Sequence, residues 1–312
     1  MTAKSRLLFG IFPVFCLSVT TALAAERIKL DSVSAEQAKH EQQELAEKKE
    51  LRTLTDAMAE YRKTAELVHY PSGERRLPGY LYRPAGAGPF PAVMWNHGSE
   101  KDPKAQPELA RFYTQHGFVF FAPIRHGHGN TDGPYIVDLQ KGLVEKETDQ
   151  SIARREQVKL HDVYNADVVA ALTWLKEQPF VDRNRIVVSG CSYGGIQTLI
   201  TAEKGLGVKA FVPFAPGAMS FANVALRERM QEAVKNCQTP MLLLQAQNDY
   251  STGPSELLAP ILKAKGAPSH NTIYPAFGST NQHGHGAFAC WSLGTEQWGT
   301  EVLEFIDVAF KK

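Results

Sequence analysis

From residue 92 onward, short continuous apolar runs alternate with segments of helical period, and this alternation constrains the fold more than any other feature of the chain. The runs at 92–95, 118–122, 186–189, 208–212, 240–244 and 272–274 read as strands. A strand that is apolar on both faces must be covered on both faces. The segments between them, near 108–115, 157–176, 196–202, 221–234 and 255–265, read as helices. In the second of these, Tyr164, Val168, Ala171, Leu172 and Leu175 share one face. Thr295 caps a last helix that turns Trp298, Val302, Phe305 and Ile306 inward. Two further strands, 66–70 and 79–83, form a hairpin around Pro71-Ser72-Gly73. The pattern predicts an α/β fold: a mostly parallel sheet of about eight strands with helices on both faces. In such sheets ligands bind beyond the C-terminal strand ends.

One strand-to-helix junction carries a special turn. Arg185-Ile186-Val187-Val188-Ser189 leads into Gly190-Cys191-Ser192-Tyr193-Gly194-Gly195, and the helix follows at once. A serine in G-x-S-x-G here sits on a turn so tight that its backbone is strained and its neighbours must be small. That geometry lifts the Ser192 hydroxyl clear of the sheet and aims the first helical amides at the same point. Cys191 points into the sheet packing as a small buried hydrophobe.

The N-terminus reads as a targeting segment. Lys4 and Arg6 form a basic region, 7–19 is an apolar stretch broken by Pro13, and Ala22-Leu23-Ala24 is a cleavage site. The expectation is a signal peptide over 1–24, a mature chain starting at Ala25, and export in soluble form to the periplasm or beyond. The apolar stretch is short for a membrane span, so no stable membrane insertion is expected after cleavage. Residues 25–65 form a helical extension, opened by a capping box at Ser34 and bearing Leu51, Leu54, Met58, Tyr61 and Ala65 on one stripe. The stripe docks on the main domain, with a cover over the site or a dimer contact as the alternatives. Residues 66–312 form the main domain.

Charged residues make up 21% and hydrophobic residues 43% of the 312, enough for a sizeable core. Net charge is +1 and falls to about −1 on signal removal, which excludes a nucleic-acid footprint. Of the four cysteines, Cys191, Cys237 and Cys290 stay in the mature chain. Cys237 lies at the opposite end of the sheet from Cys191, so a disulfide holding the fold is not expected; Cys191–Cys290 and Cys237–Cys290 are the alternatives.

A serine hydroxyl needs a base to take its proton and a group to orient that base. In folds that carry the serine on such a strand-to-helix elbow, the chain order is nucleophile, acid, histidine. Asp249 follows the strand at 240–244 and stands where the acid belongs. After the last strand, two histidines compete in Gln282-His283-Gly284-His285-Gly286. His285 is preferred because the small-then-aromatic Gly286-Ala287-Phe288 suits a tight return to the final helix; His283 is the alternative. An oxyanion needs two preset amide donors. One is the N–H of Tyr193; the other is assigned to Ser99, or failing that Gly98, in Asn96-His97-Gly98-Ser99.

Arg125-His126-Gly127-His128-Gly129 contains an H-x-H pair that invites a zinc reading, but the acid and third histidine of such a site are misplaced. No metal is expected. The segment reads instead as a glycine-rich wall of a substrate pocket, with Arg125 and His126 as substrate-binding residues and Arg125 as a buried ion-pair partner. The short stretch 213–220 leaves no room for a large cap domain. The pocket is then open, walled by 134–155 and the N-terminal helix.

Together, Asn96-His97-Gly98, Pro123 to Gly129, Pro179-Phe180-Val181-Asp182, the Ser192 turn, Asn248-Asp249 and His285-Gly286 resemble the dienelactone hydrolase-like branch of the α/β-hydrolases. True dienelactone hydrolases carry cysteine where this chain has Ser192, which favours a general carboxylesterase. The resemblance implies an α/β-hydrolase fold, no cofactor, a small-molecule ester substrate and a triad of Ser192, Asp249 and His285. A prolyl-oligopeptidase-like peptidase would use the same triad, but no propeller fits in the roughly 40 residues before the sheet. A catalytically silent binding protein on the same scaffold is the other alternative.

Overall fold

The structure, a computed structural model, describes Gln42 and residues 58–291 and 293–312. The signal segment, the capping box at Ser34 and the stripe positions Leu51 and Leu54 lie outside the described residues. Residues 60–312 form one compact unit; Gln42, Met58 and Ala59 belong to another.

In the larger unit the strands are β1 (Glu66–Ser72), β2 (Arg75–Tyr82), β3 (Phe90–Asn96), β4 (Val119–Pro123), β5 (Val181–Cys191), β6 (Ala210–Phe214), β7 (Leu242–Ala246) and β8 (His270–Tyr274). They form one sheet in the order β1-β2-β4-β3-β5-β6-β7-β8. β2 runs antiparallel to its neighbours and β3 to β8 run parallel. The helices are α1 (Pro107–Gln115), α2 (Ile136–Lys146), α3 (Gln150–Lys176), α4 (Tyr193–Ala202), α5 (Val224–Asn236), α6 (Gly253–Lys265) and α7 (Thr295–Phe310).

Alternation along each strand builds two cores. Ala92 and Met94 of β3, with Ile186 and Val188 of β5, face one side and pack with α3, α4, α5 and α6. Val93 and Trp95, with Val187, face the other side and pack with α1 and α7. Both faces are dry, which is why the strands read as unbroken apolar runs. Each fully buried aliphatic or aromatic side chain contributes roughly 1.5–3 kcal/mol.

The elements differ from expectation at informative places. α2 was not foreseen; it fully buries only Ile136, with Val137 and Leu139 half-buried against the core. α3 begins at Gln150, where the Asp149 carboxylate accepts from the amides of Ser151 (2.8 Å) and Ile152 (3.4 Å) as an N-cap. The cap of α7 is Gly294, not Thr295, while Trp298, Val302, Phe305 and Ile306 are buried as the pattern required. Between β6 and α5 there is only a helical turn, Ala218–Ser220, and no cap domain. The expected loop after β8 is present over 275–280, but its histidine-bearing end is a π-helix, His283–Cys290.

The cysteine expectation is corrected. Cys191 and Cys290 are bonded, with Cα atoms 5.3 Å apart, and Cys237 is the free, buried thiol. Spacing in the chain gave no sign of this. The π-helix folds the 290 end back onto the end of β5, inside the Cα range a disulfide requires. Among the described residues no helix is long and apolar enough to cross a membrane.

Candidate active site

The candidate residues follow the C-terminal ends of β3, β4, β5, β7 and β8. Ser192 is the junction of β5 and α4 and has φ 59° and ψ −116°, a left-handed conformation that a non-glycine residue adopts only under constraint. Its amide donates to Phe214 O at 3.0 Å, and its carbonyl accepts from Ile196 N at 3.1 Å. The neighbouring glycines are required by contact. A methyl group on Gly194 would stand 1.9 Å from Asn96 O, and one on Gly195 2.7 Å from Phe214 O. The start of α4 is therefore pressed against the end of β3, and only backbone fits between them.

Asp249 and His285 are brought together. His285 Nδ1 lies 2.8 Å from Asp249 Oδ1, and both side chains are buried. The carboxylate is itself held: Oδ1 accepts from the Tyr250 amide (2.6 Å) and Oδ2 from Gln245 Nε2 (2.8 Å). Gln245 is fixed in turn by Ser255 Oγ at 2.8 Å. A carboxylate on Nδ1 leaves Nε2 as the free nitrogen of the ring. Tyr250 packs edge-on to the imidazole, ring centres 5.4 Å apart. His283 is placed differently: its Nδ1 accepts from the Ser279 amide at 3.1 Å.

The loop after β3 lies beside Ser192. A Cβ on Gly98 would be 3.7 Å from Ser192 Cβ and 2.7 Å from Glu100 Oε2. Glu100 is exposed as a whole residue, but its carboxyl end folds back against this loop, where desolvation holds it above the usual carboxylate range. Sequence reasoning missed Glu100, since an acid in a polar loop carries no signal. Tyr135 OH donates to Ser99 O and ties the loop to the entrance of α2.

Arg125 and His126 sit beneath the loops. Arg125 is 1% exposed. Its Nη2 donates to His97 O (2.7 Å) and Gly98 O (2.9 Å), and its guanidinium carbon lies 4.6 Å from the Tyr193 ring centre. Nε and Nη1 are buried with no partner among the described residues. His126 stacks on Tyr164 (4.0 Å) and bonds Asp167 through Nδ1 at 2.5 Å, while Ser72 Oγ donates to the other oxygen of Asp167 at 2.6 Å. Burial works to raise the Asp167 carboxyl, but the hydrogen bonds from His126 and Ser72 outweigh it and hold it below its ordinary value.

The H-x-H pair is divided. His126 is engaged with Asp167, whereas His128 Nδ1 lies 2.9 Å from Glu100 O. Burial, with the nearby Arg125 charge, lowers His128 to about 3. No group of three or more metal-ligating side chains is found among the described residues.

The chain matches the dienelactone hydrolase family over residues 77–290. The polyketide transferase grgF of a Penicillium species is 27% identical over 208 residues, covering 63% of this chain and 64% of that protein. The acetyl esterase Axe7A of Xylanibacter ruminicola is 28% identical over 151 residues, covering 46% of this chain and 33% of that protein. The matches thus span less than two thirds of the length of either relative. A solved structure assigned as a dienelactone hydrolase, from Klebsiella pneumoniae, shares the fold with a TM-score of 0.57 at 22% identity, covering 78% of this chain and 98% of that one. With the match running from β2 through the π-helix, and so taking in Ser192, Asp249 and His285, the chain belongs to the dienelactone hydrolase family.

Proposed function

We propose that this protein is a serine hydrolase of carboxylic esters that works through a covalent acyl-enzyme. Ser192 Oγ attacks the ester carbonyl carbon while His285 Nε2 takes its proton. The oxygen that becomes negative is held by the amides of Tyr193 and Ser99, with Gly98 as the alternative second donor. The intermediate collapses, and His285 returns the proton to the departing alcohol. Water then attacks the acyl-serine, its proton passes to His285, and the carboxylic acid leaves as Ser192 is reprotonated. Asp249 sets the imidazole tautomer and stabilises its charged form.

The observation that carries this reading is the buried 2.8 Å contact of His285 Nδ1 with Asp249. It lies on a segment bonded to the residue before Ser192. Axe7A, an acetyl esterase by name, makes short acyl esters the first substrates to test. Ser192→Ala is expected to lower turnover of p-nitrophenyl acetate by about 10⁴-fold or more. Retained turnover would exclude Ser192 as the nucleophile. A fluorophosphonate probe that fails to label the wild type would favour a binding protein; turnover of amides in the same screen would favour a peptidase.

Export through a cleaved signal peptide belongs to the same proposal. N-terminal sequencing of the mature protein is expected to begin at Ala25, and an intact Met1 would contradict it.

A further inference from the structure

We infer that the Cys191–Cys290 disulfide is a positioning device for the reaction: it holds the histidine-bearing π-helix to the elbow and so sets the approach of His285 to Ser192. The inference rests on the assignment of Ser192 and His285 proposed above.

The π-helix is held from three sides. On the β7 side, Asp249 holds the imidazole, and the Asn248 side chain holds the segment's entry. Asn248 Nδ2 donates to Phe277 O and Thr280 O, both at 2.9 Å, and its Oδ1 accepts from Phe277 N at 2.8 Å. At the back, Phe288 is fully buried and its carbonyl accepts from Trp298 Nε1 at 2.9 Å. On the β5 side the tether is covalent. Cys191 is fully buried, the last residue of β5, locked in register opposite Phe214 and one residue before Ser192. Cys290 ends the π-helix, five residues after His285, which is the hydrogen-bonding period of that helix. The Trp291 amide closes such a turn on Gly286 O at 2.8 Å. The disulfide therefore grips the turn next to His285 and connects it to the residue next to the nucleophile.

Proton transfer from a serine needs the base nitrogen within about 2.6–3.2 Å of the hydroxyl. A displacement of about 1 Å costs roughly 100-fold in rate. Asp249 ties the imidazole to β7, which reaches β5 only through β6 and its hydrogen bonds. The disulfide adds a direct covalent link from the histidine's own segment to the end of β5. The contacts of Phe288 with Trp298 and of Asn248 with the 277–280 loop do not involve the disulfide, so its loss is expected to shift geometry rather than unfold the helix.

The test uses the full-length mature protein, as Cys191→Ala/Cys290→Ala and as wild type reduced with tris(2-carboxyethyl)phosphine. In that reduction the phosphine becomes its oxide with oxygen from water, and the sulfur–sulfur bond is replaced by two thiols. Each form is titrated with a fluorophosphonate to count competent sites, and kcat is expressed per labelled site. The expected result is an unchanged labelling endpoint, a slower labelling rate, little change in KM, and kcat lower by about 10- to 100-fold. Reoxidation of the reduced wild type is expected to restore kcat. Wild-type kcat per site in both forms overturns the inference, as does a lower endpoint with normal kcat for the remaining sites, which is the signature of stability alone. Free thiols at both positions in the protein as isolated overturn it too. If the double variant does not fold, the reduced wild type, checked by near-ultraviolet circular dichroism, decides by the same outcomes. Failure of the serine assignment is read separately, as activity in Ser192→Ala.

Discussion

Arg125 is one buried residue that shapes the backbone of the loop beside Ser192. In a trans peptide, the carbonyl of one residue and the N–H of the next point in opposite directions. Arg125 Nη2 holds the carbonyls of His97 and Gly98, so the amides of Gly98 and Ser99 are turned the other way. Those are the two amides considered as the second oxyanion donor, and their loop adjoins Ser192. In the proposed mechanism Arg125 is a positioning residue, and removing it would mimic loss of an aligned donor, which typically costs about 10²–10³ in kcat. Arg125→Met is expected to lower kcat by about 100-fold with a smaller change in KM, and Arg125→Lys to recover part of it. Steady-state kinetics on both variants check this; equal losses in kcat for Lys and Met would argue against alignment through donated hydrogen bonds. At this scale the sequence marked the Ser192 turn, Asp249 after its strand and the His283/His285 pair, because a turn motif and a chain order point to them; it did not settle the choice between the two histidines. Ser72, Glu100 and Asp167 were not. Ser72 and Asp167 meet across 95 residues, and nothing local to either marks the partner.

At the scale of elements, legibility followed burial. β3, β4, β6 and β7 are dry on both faces and were plain in the sequence. α3 announced its buried face through Tyr164, Val168, Ala171, Leu172 and Leu175, but its first turns are solvated and were missed. The polar contacts that seat α4 were equally silent. Asn165 Nδ2 donates to Gln197 Oε1 (2.9 Å) and Thr201 Oγ1 (3.0 Å), and Gln197 Nε2 donates to His161 O (3.0 Å). These bonds clamp the helix that begins at Tyr193, and hence the elbow itself. The π-helix could not be read from periodicity, since His-Gly-His-Gly-Ala-Phe-Ala-Cys fits neither a period of two nor one of 3.6. Its small residues allow it to pass close to the β7 loop: a Cβ on Gly284 would lie 2.5 Å from Asn248 Oδ1.

For the whole molecule, the buried histidines set an acid limit. Burial lowers His128 to about 3 and His161 to about 4, with the Arg125 charge adding to the effect on both. Both are neutral in the folded protein near pH 6, whereas the unfolded chain protonates them around 6.5. Between those values the unfolded state binds more protons, so stability rises with pH. The contribution is complete above pH 6.5 and drains away as pH falls toward the folded values. Each histidine accounts for about 1 kcal/mol between pH 6 and 5. Asp167, held below its ordinary 3.8, adds stability that is present above that value and is lost only at lower pH still. Urea midpoints are expected to drop from pH 7 to 5, with a shallower drop in His161→Gln; a flat wild-type profile over that range would contradict the burial of neutral imidazoles.

The sequence alone determined the α/β class, the covered parallel sheet and the strained turn at Ser192. Each of these follows from local chemistry: apolar runs that must be dried on two faces, and glycines where backbone meets backbone. It also ordered the serine, acid and histidine along the chain. Only the tertiary structure decided which histidine meets Asp249, which carbonyls Arg125 holds, and that Cys191 pairs with Cys290 rather than staying a lone thiol. Those are contacts between loops brought together by the strand order of the sheet, and their partners are chosen by distance in space, to which a local pattern carries no key.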